Sequence, residues 1–145
     1  MNQRILIIED ELQIRQSMVD FLTLEGYEVF DTDNGHEAIE IAKKHRPNLI
    51  LSDINMPHLD GYNVLSTLQQ NPKLADIPFI FLTARVDQRD CRLGMEMGAD
   101  DYITKPFTFE ELMQAIKTRL RKRASTASFY CQEIQKLYGL ALQTC

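Results

Sequence analysis

A chain of 145 residues is long enough for one hydrophobic core and short for two, so we expect one domain with an appendage. Its apolar fraction of 44% is ordinary for a soluble globular protein, and no apolar run approaches the roughly 18 residues of a membrane span. The net charge of −5 disfavours non-specific binding to nucleic acid, and three cysteines without metal-ligand or CxxC spacing indicate reduced thiols. These features predict a cytoplasmic domain with no membrane partner and no direct nucleic-acid partner.

Short apolar runs alternate with amphipathic segments along the chain. Arg4 to Ile8 is too short for a helix and predicts a buried strand, and the following residues have helical spacing as far as Gly26. The later elements predicted in the same way are strands over 27–30, 49–53, 79–83 and 102–103, and helices over 35–45, about 63–70, about 87–97 and from 109 onward. Because parallel strands need crossovers and are apolar on both faces, this alternation predicts a doubly wound α/β fold with a parallel sheet.

Polar residues follow the predicted strands directly. In an open parallel sheet, ligands bind beyond the carboxyl ends of the strands, so these side chains should meet in one pocket. They are Glu9, Asp10, Asp53, Thr83 and Lys105. Close carboxylates repel one another unless a cation neutralises them, and oxygen ligands with room for water suit Mg²⁺.

The same pocket has the groups that phosphoryl transfer needs. Asp53 stands alone at the end of an apolar strand and is the best candidate for a nucleophile that carries the group as an acyl phosphate. A metal ion, Thr83 and Lys105 would then stabilise charge on the phosphoryl oxygens. Taken singly, each residue also has an ordinary explanation as a helix-terminus, turn, N-cap or surface residue. Those explanations do not predict that all of them lie at one edge of the sheet.

Four segments also carry a family resemblance. They are ILIIEDE with the acidic pair, LILSDINMPHLDGY around Asp53, FIFLTA around Thr83 and GADDYITKPF around Lys105. In this order and spacing, over about Arg4 to Leu120, the chain resembles the receiver domains of two-component response regulators. The resemblance implies a flavodoxin-like strand order of 2-1-3-4-5 and a phosphorylation switch. It also implies a sensor histidine kinase or histidine phosphotransfer protein as phosphoryl donor, a downstream protein target, and no enzymatic activity beyond phosphotransfer and dephosphorylation at the chain's own aspartate.

The resemblance further implies the residues of the metal site. Asp53 would be the phosphoacceptor, and Mg²⁺ would be held by Glu9, Asp10, Asp53 and the backbone carbonyl of Asn55. The acidic pair is Glu-Asp here, where Asp-Asp is the commoner form in the family. Metal affinity is the property that this difference would affect.

Further residues match the phosphoryl-binding and switch positions of the family. Thr83, the backbone N–H of Ala84, and Lys105 would bind phosphoryl oxygens. Tyr102 would be the aromatic that turns inward when Thr83 is drawn toward the phosphate, and would reshape the face of helix four, strand five and helix five. The bond from Lys105 to Pro106 is expected to be cis, as is usual in the family.

Three other functions have to be compared with this one. A haloacid dehalogenase-type phosphatase would need a second acid two residues after its nucleophile, where this chain has Asn55. A flavodoxin-like cofactor binder would cradle phosphate with small residues in its first loop, where this chain has Glu9, Asp10 and Glu11. A receiver that serves only as a scaffold would lack phosphorylation residues, and every one of them is present.

The last part of the sequence lies outside the resemblance. We expect a receiver domain over residues 1–122 and a helical tail or linker over 123–145, with no output domain in these residues. Heptad spacing predicts a coiled-coil seam, which would make the last helix a homodimer stalk. Its members are Met113, Ile116, Leu120, Arg123, Ala127, Tyr130, Ile134, Leu137 and Ala141. The weak helix formers Ser125, Thr126 and Ser128 favour instead a break, with the tail folding back or leading to a further domain.

Overall fold

In the computed structural model, residues 2–84 and 88–122 are described, with 88–91 through their backbone alone. The strands are β1 (Arg4–Ile8), β2 (Glu28–Thr32), β3 (Leu49–Asp53), β4 (Phe79–Thr83) and β5 (Asp101–Thr104). The helices are α1 (Leu12–Leu24), α2 (Gly35–His45), α3 (Gly61–Gln69), α4 (Gln88–Glu96) and α5, which is described over residues 109–122.

The five strands form one parallel sheet in the order β2-β1-β3-β4-β5. This confirms the predicted doubly wound α/β fold with strand order 2-1-3-4-5. The register places Ile8 beside Ser52, and Asp53 beside Leu82. The carboxyl ends of the three central strands therefore lie at the same edge of the sheet.

The core lies on both faces of the sheet because the strands are apolar on both sides. On one face, Leu6, Ile50 and Phe79 belong to a cluster that includes side chains of α2 and α3. On the other face, Ile5 and Leu51 belong to a cluster that includes side chains of α1 and α5. Alternate residues of each strand thus enter opposite clusters, as the period of a strand requires.

Local sequence signals set the ends of two helices. The side chain of Asn34 accepts hydrogen bonds from two backbone N–H groups at the start of α2, and α2 ends at His45. The next residue, Arg46, is left-handed with φ 46°, which fits the exclusion of helical backbone immediately before Pro47. At α3, the Asp60 side chain accepts from the Asn63 N–H, so this helix begins two residues earlier than predicted.

The proposed coiled-coil seam needs a correction where it crosses α5. Met113, Ile116 and Leu120 are buried in the domain's own core against the sheet and α1. Their heptad spacing is explained by packing on one face of the domain, so these three side chains are not a free surface for a partner helix. The other members of the seam lie outside the described residues. Among the described helices, none is long and apolar enough to span a membrane.

Candidate functional site

Three carboxylates converge at the carboxyl edge of the sheet. One oxygen from each of Glu9, Asp10 and Asp53 lies within 4.8 Å of the others. The Glu9 side chain is 0% exposed, Asp53 is 7% exposed as a residue, and Asp10 is exposed. The cluster thus has two carboxylates inside the protein and one at the mouth of the pocket. This is the juxtaposition that the sequence predicted for the ends of β1 and β3.

The loop after β3 is held close to Asp53 by backbone contacts. The Gly61 N–H donates to the Ile54 carbonyl at 2.8 Å, and a Cβ on Gly61 would lie 2.3 Å from the Asp53 carbonyl oxygen. Only glycine therefore fits at the start of α3. Within the same loop, the Leu59 N–H donates to the Pro57 carbonyl, and His58 between them has a φ of 71°. The chain thus closes a tight three-residue turn beside the site.

Lys105 brings a positive charge into the cluster from β5. Its backbone N–H donates to the Thr83 carbonyl at 2.7 Å, and its bond to Pro106 is cis, as predicted. The ammonium Nζ contacts Glu9 Oε1 directly and lies 3.6 Å from Asp53 Oδ2. The other oxygen of Glu9, Oε2, accepts a hydrogen bond from the Asp10 N–H at 3.1 Å. Both oxygens of Glu9 are therefore engaged within the site.

Burial and neighbouring carboxylates disfavour the ionised form of Asp53. Burial has the largest effect, hydrogen bonding with Glu9 and Asp10 and the charge of Glu9 add to it, and together they raise the pKa of Asp53 to about 8 despite the opposing charge of Lys105. For Lys105, burial lowers the pKa, but the hydrogen bond with Glu9 and the charges of Asp53, Glu9 and Glu11 outweigh it and raise the pKa. A cation among the three carboxylates would favour their ionised forms.

The remaining predicted residues lie around this cluster. Thr83 is buried at the end of β4, and Ala84 and Asn55 are exposed in the segments after β4 and β3. Tyr102 in β5 is 37% exposed and lines a small cavity together with Thr83 and Gly94. The structure thus brings Glu9, Asp10, Asp53 and Lys105 together in one cluster, and Thr83 and Tyr102 both line the neighbouring cavity.

Residues 5–117 match the family described as response regulator receiver domain. The chain belongs to this family. Among curated relatives, the probable transcriptional regulator ycf27 of Porphyridium aerugineum is 44% identical over 120 residues, which cover 83% of this chain and 49% of that protein. The receiver domain therefore spans about half the length of the curated relatives that it matches.

Solved structures of other receivers have the same fold. The chemotaxis protein CheY4 of Vibrio cholerae superposes with a TM-score of 0.78 at 29% identity, over 81% of this chain and 98% of that one. The receiver domain of sensor histidine kinase PA1611 from Pseudomonas aeruginosa PAO1 gives a TM-score of 0.74 at 30% identity, over 83% and 98%. That structure has a magnesium ion coordinated in its active site cleft.

Sequence reasoning missed two features of this receiver site. The first is the close approach of Gly61 to the Asp53 carbonyl, for which the sequence offers only the general signal that glycine, having no Cβ, permits close backbone contacts. The second is the direct contact between Glu9 and Lys105, residues that are far apart in the chain. No local pattern predicts which carboxylate of a cluster a lysine will contact.

Proposed function

We propose that this receiver domain accepts a phosphoryl group on Asp53 in a Mg²⁺-dependent reaction and thereby switches the surface that a partner binds. The donor would be a sensor histidine kinase or a histidine phosphotransfer protein. The observation that carries the proposal is the convergence of Glu9, Asp10 and Asp53 with Lys105 at one sheet edge. No other activity is needed to explain this combination of groups.

The carboxylate cluster fits Mg²⁺. Hard oxygen ligands on a few carboxylates, with an open side for water, are what this ion prefers, and Asp10 lies at the exposed side of the cluster. Glu9, Asp10, Asp53 and the backbone carbonyl of Asn55 are the groups that we propose for it. When bound, the ion would neutralise the carboxylates and the charge on the phosphoryl oxygens.

The protein's own groups account for the transfer. An oxygen of ionised Asp53 attacks phosphorus, the phosphorus–nitrogen bond of the donor breaks, and the electron pair leaves with the donor imidazole. The product is an acyl phosphate on Asp53. We propose that Lys105, the Thr83 hydroxyl and the Ala84 N–H bind its oxygens, because they lie at the carboxyl ends of β4, which is beside β3, and of β5, which is beside β4.

The switch would use the cavity next to the site. Thr83 and Tyr102 line it, and at about 10 Å³ it has room for about one water molecule. An inward turn of the Tyr102 ring therefore requires α4 to move. We propose that this movement changes the surface of α4, β5 and α5 and so controls a downstream protein. Two relatives that this chain resembles are named transcriptional regulators. We propose that this chain would control transcription only by acting on such a downstream protein.

Phosphorylation of Asp53 is tested by mass spectrometry after incubation with acetyl phosphate and Mg²⁺. The wild-type chain should gain one phosphoryl group and Asp53→Asn none. Asp60→Asn is the matched control, because it makes the same change in the same loop and asparagine caps a helix as well as aspartate does. Equal labelling of Asp53→Asn and wild type would show that the acceptor is another residue.

The role proposed for Lys105 is tested separately from metal binding. Lys105→Ala should leave Mg²⁺ affinity nearly unchanged in a calorimetric titration, because an ammonium is not a metal ligand. The variant should lose the amide shift changes that phosphorylation produces over residues 101–104. Loss of Mg²⁺ binding in this variant contradicts the assignment of Lys105 to the phosphoryl group.

The homodimer through the C-terminal helix stays a prediction. Sedimentation of the full chain is compared with a version that ends at Arg123. A dimer of the full chain and a monomer of the shorter one would support a stalk formed by residues 123–145. Two monomers at micromolar concentration would exclude it.

A further inference from the structure

Arg15 of α1 connects the loop that carries Glu9 and Asp10 to the neighbouring strand β2. Its guanidinium Nη1 donates to the Glu9 carbonyl at 2.8 Å, and its Nε donates to Asp31 Oδ2 at 3.1 Å. Neither contact is with a side chain of the carboxylate cluster. From this we infer that Arg15 is a positioning residue, which fixes the backbone between β1 and α1 so that Glu9 and Asp10 present their carboxylates to Mg²⁺.

The start of α1 has no capping side chain. Asn34 caps α2 and Asp60 caps α3, whereas Glu11, the residue before α1, makes no side-chain cap hydrogen bond. The chain that enters such a helix has to be held by other contacts. Arg15 supplies two, because its backbone N–H donates to the Glu11 carbonyl at 2.9 Å and its side chain reaches back to Glu9.

The backbone of Glu9 depends on the guanidinium. Glu9 is buried, and buried backbone groups are nearly always hydrogen-bonded. Its N–H donates to the Thr32 carbonyl at 3.0 Å, and its carbonyl accepts from Arg15. The next residue, Asp10, is exposed, so packing does not fix its side chain and the backbone decides where its carboxylate lies. Loss of the guanidinium would therefore release both carboxylates of the loop.

The guanidinium group suits this double contact. It donates from several nitrogens in a rigid plane, so it can hold a carbonyl and a carboxylate at once in fixed directions. The Arg15 and Asp31 side chains are 15% and 39% exposed, so solvent screens their ion pair and its main effect is to orient the guanidinium. Lysine would donate from a single nitrogen. Arg15→Lys therefore keeps the charge and loses the double contact.

Charge and position predict opposite effects of Arg15 on the metal. Through its charge alone, a cation beside the acidic loop repels Mg²⁺, so its removal should tighten binding of the ion. As a positioning residue it orders the carboxylates before the ion arrives, so its removal should weaken binding. The direction of the change in Mg²⁺ affinity therefore separates the two roles.

This inference rests on the proposed function, and the test has a readout that needs no metal. Arg15→Met, Arg15→Lys, Asp31→Ala and the double variant of Arg15→Met with Asp31→Ala are compared with wild type. Arg121→Met is the matched control, because the exposed Arg121 guanidinium also donates to a backbone carbonyl, that of Lys117 at 3.3 Å. Mg²⁺ affinity of the full chain is measured by calorimetry. Exchange of the Glu9 amide proton is followed by NMR with a chelator present.

Arg15→Met should raise the Mg²⁺ dissociation constant by about tenfold, as loss of the groups that orient metal ligands does elsewhere. At saturating Mg²⁺ and acetyl phosphate, the maximal phosphorylation rate should change by less than about threefold, because Asp53 and Lys105 lie outside the loop. Without metal, exchange at Glu9 should accelerate by about tenfold more than at Leu51 in the middle of β3, since global loss of stability would accelerate both alike.

The other variants divide the effect. Arg15→Lys should still weaken Mg²⁺ binding although it keeps the charge. Asp31→Ala should weaken binding by itself but add nothing to Arg15→Met, because Asp31 acts through the guanidinium. Arg121→Met should match wild type in every measurement. If Arg15→Met does not fold, Arg15→Lys and Asp31→Ala give the same comparison.

Three results would overturn the inference. They are unchanged or tighter Mg²⁺ binding by Arg15→Met, equal acceleration of exchange at Glu9 and Leu51, and additive effects of the substitutions at positions 15 and 31 on Mg²⁺ affinity. A wild-type chain that binds no Mg²⁺ and accepts no phosphoryl group, while Arg15→Met still accelerates exchange selectively at Glu9, would refute the proposed function and leave the anchoring of the loop by Arg15 standing.

Discussion

Leu51 and Asp53 lie two residues apart on β3, both are buried, and strand geometry points both to the same side of the sheet. Leu51 packs among aliphatic side chains of β1, β4 and α1, whereas Asp53 faces two carboxylates and the Lys105 ammonium. The middle of the sheet and its carboxyl edge are thus separated by about one residue of strand. The change is as abrupt in β1, where buried Ile8 is followed by buried Glu9.

The difference shows that the middle of the sheet stabilises the fold and that its carboxyl edge destabilises it. Apolar side chains in the middle are removed from water on both faces of the sheet, which is the main favourable term in folding. At the edge, carboxylates are desolvated beside one another, and this is unfavourable unless a cation compensates for it. The phosphoryl transfer that we propose needs that arrangement, so the apolar middle of the sheet has to supply the stability that the edge lacks.

The largest expected effect comes from placing an amide in the middle of the sheet. Leu51→Asn removes a fully buried side chain and leaves a polar group among apolar ones, so it should cost at least about 4 kcal/mol of unfolding free energy. Urea unfolding measures this loss of stability. Leu51→Met is the control, because it keeps the side-chain volume and should cost less than about 1.5 kcal/mol. A Leu51→Asn protein as stable as Leu51→Met would mean that the middle accepts polar groups as the edge does.

The next effect concerns the backbone that joins the two regions. Alanine normally stabilises a helix relative to glycine, but a Cβ on Gly61 would lie 2.3 Å from the Asp53 carbonyl oxygen and 3.1 Å from Ile54 Cα. Backbone atoms cannot yield as a flexible side chain can, so Gly61→Ala should destabilise the domain by about 2 kcal/mol and lower its phosphorylation. Ser66→Ala in the same helix should stay within about 0.5 kcal/mol of wild type in thermal unfolding. Stabilisation by Gly61→Ala would show that the edge can move away from α3.

Most of the middle could be predicted from the sequence, because burial on both faces leaves an unmistakable apolar run. β1 and the span of β3 were predicted with their observed ends. β2 extends to Thr32, two residues beyond the predicted end at Phe30, because its alternating polar residues belong to an edge strand with one side toward solvent. The start of α3 was missed since a glycine at a helix start resembles a turn residue.

The edge could be predicted in its membership but not in its contacts. The fold brings the residues after β1, β3 and β5 together whatever their side chains are, so strand ends alone indicated Glu9, Asp10, Asp53 and Lys105. Which oxygen Lys105 contacts depends on side-chain lengths and rotamers across the sheet. Side-chain rotamers are decided by packing among residues that are distant in the chain, so no single segment of sequence predicts them. The reach of Glu9 to Lys105 is an example.

A smaller effect is expected from the charge on Asp53 in the absence of Mg²⁺. The unfolded carboxyl has a pKa near 3.9, and the fold raises the pKa of Asp53 to about 8. Between these two pKa values the unfolded chain has lost a proton that the folded chain keeps, so rising pH favours unfolding. The resulting loss of folding stability is complete near pH 8. Asparagine does not ionise, so the unfolding free energy of Asp53→Asn should exceed that of wild type by at least about 1 kcal/mol at pH 8, which is about 3 °C in Tm. The difference should be smallest near pH 4.

The measurement is thermal unfolding from pH 4 to pH 8 with a chelator present. Asp60→Asn serves as control, since its difference from wild type should not grow with pH. Added Mg²⁺ should stabilise wild type at pH 8 and reduce the advantage of Asp53→Asn. A wild type that becomes more stable relative to Asp53→Asn as pH rises would show that the edge favours an ionised Asp53 without metal.

The smallest effect is expected from an ion pair outside the site. Arg119 Nη2 lies 3.7 Å from Asp101 Oδ2, and the two side chains are 23% and 36% exposed. Solvent screens such a pair, so Asp101→Asn should change the unfolding free energy by less than about 0.5 kcal/mol, particularly since its Oδ1 can still accept from the Tyr102 N–H. A double-mutant cycle with Arg119→Gln isolates the pair, and the same kind of cycle applied to Glu9 and Lys105 measures a buried pair for comparison. If the exposed pair couples by more than about 1 kcal/mol, burial is not what distinguishes the edge, because a solvent-accessible pair between β5 and α5 would then bind as strongly as the one inside the pocket.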